Sequence, residues 1–162
     1  MTVCGVDPGV AIVGFGFVTG GGQKFSAMRY GVIRTEAGLP LETRLRQIYA
    51  DFNQLLDMIS PDALAVEELF WGANVTTGIQ VAHARGVILL AGSQRGIPIH
   101  TYSPQQVKQA VVGYGKAEKQ QVMEMTKKLL NLGRTPRPDD AADALAIALC
   151  HAQSAGSILG RL

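Results

Sequence analysis

With 162 residues, 47% of them hydrophobic and 17% charged, the chain holds enough apolar material for one domain with its own core, and it contains no internal repeat, low-complexity block or linker. Its net charge of +2 is laid out unevenly: nine Lys and Arg stand against two Glu between residues 85 and 137, whereas acidic residues outnumber basic ones on either side. A basic middle between acidic flanks fits either a solvated lysine-rich helix pair or a surface for a polyanion beside a site that gathers carboxylates.

In chain order, Val3–Val6, Ile12–Thr19 and Phe25–Ile33 read as three strands, with a loop at DPGV and a hairpin turn at Gly20-Gly21-Gly22. After Pro40, the apolar positions Leu41, Leu45, Ile48, Phe52, Leu55, Leu56 and Ile59 recur at helical spacing until Ser60-Pro61. ALAVEEL (63–69) predicts a fourth strand, Thr76–Arg95 a largely apolar helix, and IPIHTY (97–102) a fifth strand. Ser103 then caps a helix with Pro104 in its first turn, Gly113-Tyr114-Gly115 breaks it, and a polar helix follows from about Ala117 to Leu130. The last helix opens at PRPDDAADALAIALC, and QSAGSILGRL reads as a frayed tail. The order βββαβαβααα predicts an α/β domain over residues 1–153 with a flexible tail at 154–162: a five-stranded mixed sheet, three strands antiparallel and then two parallel, with helices on both faces. Cys4 and Cys150 lie far apart within apolar runs and read as two buried thiols of a reducing compartment. The first residues enter a strand directly and no run approaches bilayer length, which predicts a cytoplasmic protein without a membrane partner.

The acidic residues carry the chemistry. Asp7 ends the first strand, and of Glu67 and Glu68 in the fourth strand only one can point where Asp7 points. Asp140 and Asp143, at i and i+3, share one helix face, opposite an expected core stripe of Ala142, Leu145, Ala146 and Leu149; Asp139 suits the N-cap. Each acid also has an ordinary reading, as turn-former, surface strand residue or cap. Together, four carboxylates would repel one another unless a cation lay among them, and an oxygen-only donor set favours Mg²⁺ or Mn²⁺ over zinc. Two such ions about 4 Å apart can activate water on one side of a phosphodiester and stabilise the leaving oxygen on the other. Lys108, Lys116 and Lys119 bracket the glycine break, as solvated helix ends or as phosphate contacts. Phe70 and Trp71 read as a buried plug or as stacking residues, and His83, His100 and His151 as ordinary structural or surface residues.

GVDPG, AVEELF, AHARGVILL, QVKQAVVGYGKAEKQQV and DDAADALAIALCH, in this order over nearly the whole chain, resemble the RuvC-type Holliday junction resolvases of bacteria. The resemblance implies a ribonuclease-H-like fold, a homodimer, and paired nicking of four-way DNA junctions in recombination and repair, with two Mg²⁺ ions per subunit that Mn²⁺ can replace. It puts the catalytic, metal-binding acids at Asp7, Glu67, Asp140 and Asp143, choosing Glu67 over Glu68 and Asp140 over Asp139. It puts DNA contacts at Phe70, Lys108, Lys116 and Lys119, the dimer contact on helix Thr76–Arg95, and a branch-migration motor of the RuvA and RuvB type among the partners. A binding module that had lost its site would lack one of the acids, and none is missing. A nucleotide-phosphate enzyme would need a G-x-x-x-x-G-K-[ST] loop or a two-domain cleft, and the chain is too short for the latter.

Overall fold

The structure is a computed structural model that describes residues 1–69 and 75–159. Ten elements follow in order: β1 (Thr2–Asp7), β2 (Ile12–Gly21), β3 (Lys24–Arg34), α1 (Leu41–Met58), β4 (Ala63–Glu67), α2 (Val75–Gln94), β5 (Ile99–Tyr102), α3 (Pro104–Val112), α4 (Lys119–Leu129) and α5 (Asp139–Leu159). The strands form one sheet in the order β3-β2-β1-β4-β5. β1–β2 and β2–β3 pair antiparallel, and β1–β4 and β4–β5 pair parallel, which is the mixed pattern expected from the order of elements.

Two apolar layers flank the sheet. On one face Ile48, Phe52, Leu55 and Leu56 of α1 join Ala84, Ile88 and Ala91 of α2 against Val6, Val13, Phe15, Phe17, Leu64 and Val66. On the other, Leu145–Cys150 of α5 pack with Val107 and Val111 of α3 and Val122 of α4 over Val3, Val18 and Ala65. Alternation within the central strands supplies both layers, because successive side chains point to opposite faces. Both cysteines are buried free thiols. Among the described residues no helix is long and apolar enough to cross a membrane.

Several boundaries differ from those read in the sequence, each for a local reason. The hairpin turn falls on Gly22-Gln23, with Gly22 at φ +64°. β4 ends at Glu67, because the Glu68 N–H makes its last bond to β5, to the Tyr102 carbonyl. Ile97 closes the cap that follows α2: Gly96 turns left-handed at φ +66° and the Ile97 N–H bonds back to Gly92 O, so β5 starts only at Ile99. α4 starts at Lys119, where the Gln121 side chain accepts from the Glu118 N–H. α5 continues in helical form to Leu159, through residues read as a frayed tail, with Ser154 Oγ bonded to Cys150 O.

The largest correction concerns α5. In place of one stripe, Ala141, Ala142, Ala144–Cys150 and Ala152 are all buried, since α3 and α4 cover the side turned away from the sheet. The helix lies directly on bare strand backbone. A Cβ on Gly5 of β1 would stand 2.0 Å from Ala144 O, and one on Gly14 of β2 would stand 2.1 Å from Asp140 O. Alanine at either position meets helix backbone, which cannot rotate away. Gly14→Ala is therefore expected to cost about 1–3 kcal/mol, read as a lower Tm by roughly 2–4 °C per kcal/mol. Gly21→Ala, where the added Cβ meets nothing within 4 Å, serves as the control and should melt like the wild type.

Candidate active site

Four carboxylates come to one end of the sheet by separate routes. Asp7 is the last residue of β1 and pairs with Gly14 of β2. The start of α5 lies over Gly14, so Asp140 arrives beside Asp7; its Cβ would be 3.1 Å from a Cβ built on that glycine. Asp143 follows one turn later on the same face. Glu67 ends β4, next to β1, and is half-buried, whereas Glu68 is exposed. A cleft of about 240 Å³ opens here, lined by Glu67 and Asp143 together with Val107, Lys108, Lys119 and Ile147.

The electrostatics record the crowding. Asp7 is pushed up to about 8, first by burial and then by Glu67, Asp143 and Asp140, against a smaller opposing pull from Lys119. Glu67 is raised by burial and by Asp143, while a hydrogen bond from Asp7 lowers it. Asp143 is raised by burial, with Lys119 opposing. Lys119 Nζ lies 3.0 Å from Asp143 Oδ2 and 3.6 Å from Asp139 Oδ2. Burial disfavours its charge, but Asp143, Asp139 and Asp7 hold it above the usual lysine range. At neutral pH Asp7 is thus held protonated within the cluster, with the Lys119 ammonium at its rim.

Asp139 does not cap the helix as its position suggested. It is the first residue of α5, and its carboxylate turns to Arg137 and Lys119. Lys108 lines the cleft, but Lys116 stands exposed on the α3–α4 connection and is not part of the lining. Phe70 and Trp71 lie outside the described residues. The histidines stay away from the acids: His83 is exposed on α2, and the buried His151 stacks on His100 at 4.2 Å while its Nδ1 meets the Tyr102 hydroxyl at 2.7 Å. The sequence reading passed over Arg85, whose guanidinium reaches the Glu67 carbonyl across 18 residues of chain. Its signals in the sequence were its place in the AHARGVILL block and one more positive charge.

The donor set, carboxylate oxygens without Cys or His, suits a hard divalent cation. Among the described residues no three such side chains yet stand as a closed cage. The Lys119 ammonium donates to Asp143 Oδ2 at the rim of this donor set.

Comparison with known proteins fits this geometry. The family model described as "Crossover junction endodeoxyribonuclease RuvC" matches residues 3–151. The chain belongs to the RuvC family. It is 54% identical over 153 residues to the crossover junction endodeoxyribonuclease RuvC of Brevibacillus brevis, covering 94% of this chain and 92% of that one. It is 49% identical over 162 residues to the same enzyme of Desulforamulus reducens, covering 100% and 99%. The structure of Thermus thermophilus RuvC in complex with a Holliday junction substrate superposes with a TM-score of 0.93 at 39% identity, over 97% of this chain and 96% of that chain. The RuvC-like fold extends to the yeast mitochondrial Holliday junction resolvase Ydc2, with a TM-score of 0.65 at 16% identity over 98% and 82%.

The raised Asp7 carboxyl sets a pH dependence. In the folded, metal-free protein Asp7 keeps its proton until about pH 8, whereas the unfolded chain releases it near the ordinary Asp value of about 4. Between those limits the folded state binds more protons, so stability is greatest at the acidic end and falls as pH rises. Thermal melts in chelator should show Tm dropping from pH 5 to pH 8.5. Asp7→Asn should flatten that drop.

Proposed function

We propose that the chain is a structure-selective endodeoxyribonuclease that resolves four-way DNA junctions by paired, symmetric nicks through metal-dependent phosphodiester hydrolysis, in recombination and repair. The observation that carries this reading is the meeting of Asp7, Glu67, Asp140 and Asp143 beside a lysine-lined cleft, in a chain of the RuvC family. These four side chains would hold the cation, Mg²⁺ with two ions per subunit, with Mn²⁺ as a substitute. When bound, the metal supplies a nucleophilic water at neutral pH and stabilises the charge that develops on the leaving 3′ oxygen.

The chain's own groups supply the remainder. Lys108 and Lys119 line the cleft and offer cationic donors to the phosphates on either side of the scissile bond. Lys119 balances the carboxylate charge that would otherwise repel a phosphodiester. Lys116, on the exposed connection, reaches backbone phosphate further along an arm. Phe70 remains our candidate for contact with the opened junction centre.

A junction has approximate twofold symmetry, so two cuts placed symmetrically call for a C2 dimer with one site per subunit. The face of α2 turned away from its buried Ala84, Ile88 and Ala91 presents Val75, Ile79 and Leu90, roughly half-exposed large apolar side chains. A second copy is the occupant we assign to it. The resemblance implies a branch-migration motor of the RuvA and RuvB type as the partner that delivers junctions, and we assign the protein to the cytoplasm.

Asp7→Asn, Glu67→Gln and Asp140→Asn should each reduce cleavage of a synthetic four-way junction by at least about 10³-fold while leaving junction affinity nearly unchanged. Cutting of linear duplex at the junction rate by the wild type would overturn the reading. The double change Ile79→Asp with Leu90→Asp should give a monomer in sedimentation. That monomer should nick junctions singly, without the paired product.

A further inference from the structure

We propose that Arg85 is a positioning residue for the carboxylate site: it supplies the hydrogen-bond donor that the sheet cannot give to the Glu67 carbonyl, and so fixes the backbone from which Glu67 projects. The inference rests on Glu67 acting in the metal-dependent reaction. Its Nε donates to Glu67 O at 3.0 Å and its Nη2 donates to Thr101 Oγ1 at 3.0 Å, so one guanidinium on α2 spans the end of β4 and its neighbour β5.

The need for an outside donor follows from the register. The Glu68 N–H bonds Tyr102 O on β5, and the carbonyl of the same peptide, that of Glu67, points the opposite way, toward β1. The β1–β4 pairing ends at Val6↔Val66. The next β1 donor in that ladder would come from residue 8, two beyond Val6, and residue 8 is proline, which has no N–H. The Asp-Pro pair that turns the chain after Asp7 thereby leaves the carbonyl of the neighbouring acidic residue without a ladder partner. A half-buried carbonyl in that condition costs free energy and leaves ψ of Glu67 free to drift. Arg85 closes the gap with a planar fork that also grips Thr101, which lysine cannot reproduce in full. Because Arg85 belongs to the helix whose other face we assign to the second subunit, seating of α2 and aim of Glu67 are mechanically joined.

Three variants test the assignment: Arg85→Gln, Arg85→Lys and Thr101→Val. Each is measured for junction cleavage against Mg²⁺ concentration, for junction affinity in chelator, and for the rise in Tm that Mg²⁺ produces. Arg85→Gln is expected to lose activity by about 10–100-fold and to need roughly tenfold more Mg²⁺ at half-maximal rate, with a smaller Mg²⁺-induced rise in Tm and junction affinity within about twofold of wild type. Arg85→Lys keeps a donor for the Glu67 carbonyl and should recover most of the loss. Thr101→Val, which frees only one arm of the fork, should lie between wild type and Arg85→Gln. Should Arg85→Gln fail to fold, the other two variants decide. A Mg²⁺ requirement and Mg²⁺-induced Tm rise equal to wild type in Arg85→Gln, or a loss in Arg85→Lys as deep as in Arg85→Gln, would overturn the inference. If the wild type itself cut no junction, the proposed activity would fail, and the Mg²⁺-induced Tm rise would still read Arg85 on its own.

Discussion

Everything at this site depends on how closely α5 can approach the sheet. A helix packed over ordinary side chains stands back from a strand by the thickness of those side chains, and its first-turn carboxylates would then miss Asp7. Here Gly5 and Gly14 leave strand backbone bare, and the carbonyls of Ala144 and Asp140 occupy the space their Cβ atoms would fill. The small residues on α5 complete the contact from the other side, since Ala141, Ala144 and Ala148 are all wholly buried. The same approach that excludes water from the core therefore sets the spacing of the acids.

Such an approach has an electrostatic consequence. Acids brought this near to one another, and partly out of water, cannot all ionise at neutral pH without a compensating cation. The shift of Asp7 to about 8 is the measure of that conflict, and Lys119 relieves only part of it, from the rim. The arrangement is strained in the sense that matters for binding: a divalent cation would remove repulsion that the fold already tolerates. Buried apolar layers on both faces supply the stability that lets the sheet carry this cluster at one end.

The backbone around the acids is held as firmly as the acids are crowded. Asp7 sits where β1 gives way to Pro8, Glu67 where β4 leaves the sheet, and Asp140 in the first turn of its helix. Ends of elements are the places where ladder bonds run out. Arg85 at the end of β4, itself held by Thr101 of β5, and Lys119 at the start of α4 are the side chains that meet those ends. Catalytic groups at strand ends gain access to solvent and substrate, and the neighbouring elements restore the rigidity that the strand no longer provides.

Hydrophobic alternation in the central strands, helical spacing after Pro40 and the capping signal at Ser103 were enough to determine the order of elements, the mixed sheet and the two covering layers, because each is a local pattern enforced by backbone geometry. The acids themselves were equally legible, as charges in places where composition alone would put apolar residues. Which neighbour each one meets was not. Asp139 looked like a cap and instead pairs with Lys119 and Arg137, Lys116 looked equivalent to Lys108 and stands outside the cleft, and Arg85 carried no local mark of its bond to Glu67. Those pairings join residues distant in sequence, and only the packing of α5 on glycine and of α2 on β4 brings them within reach. Local propensity writes the elements into the chain; the contacts that make a site of them exist only once the layers close.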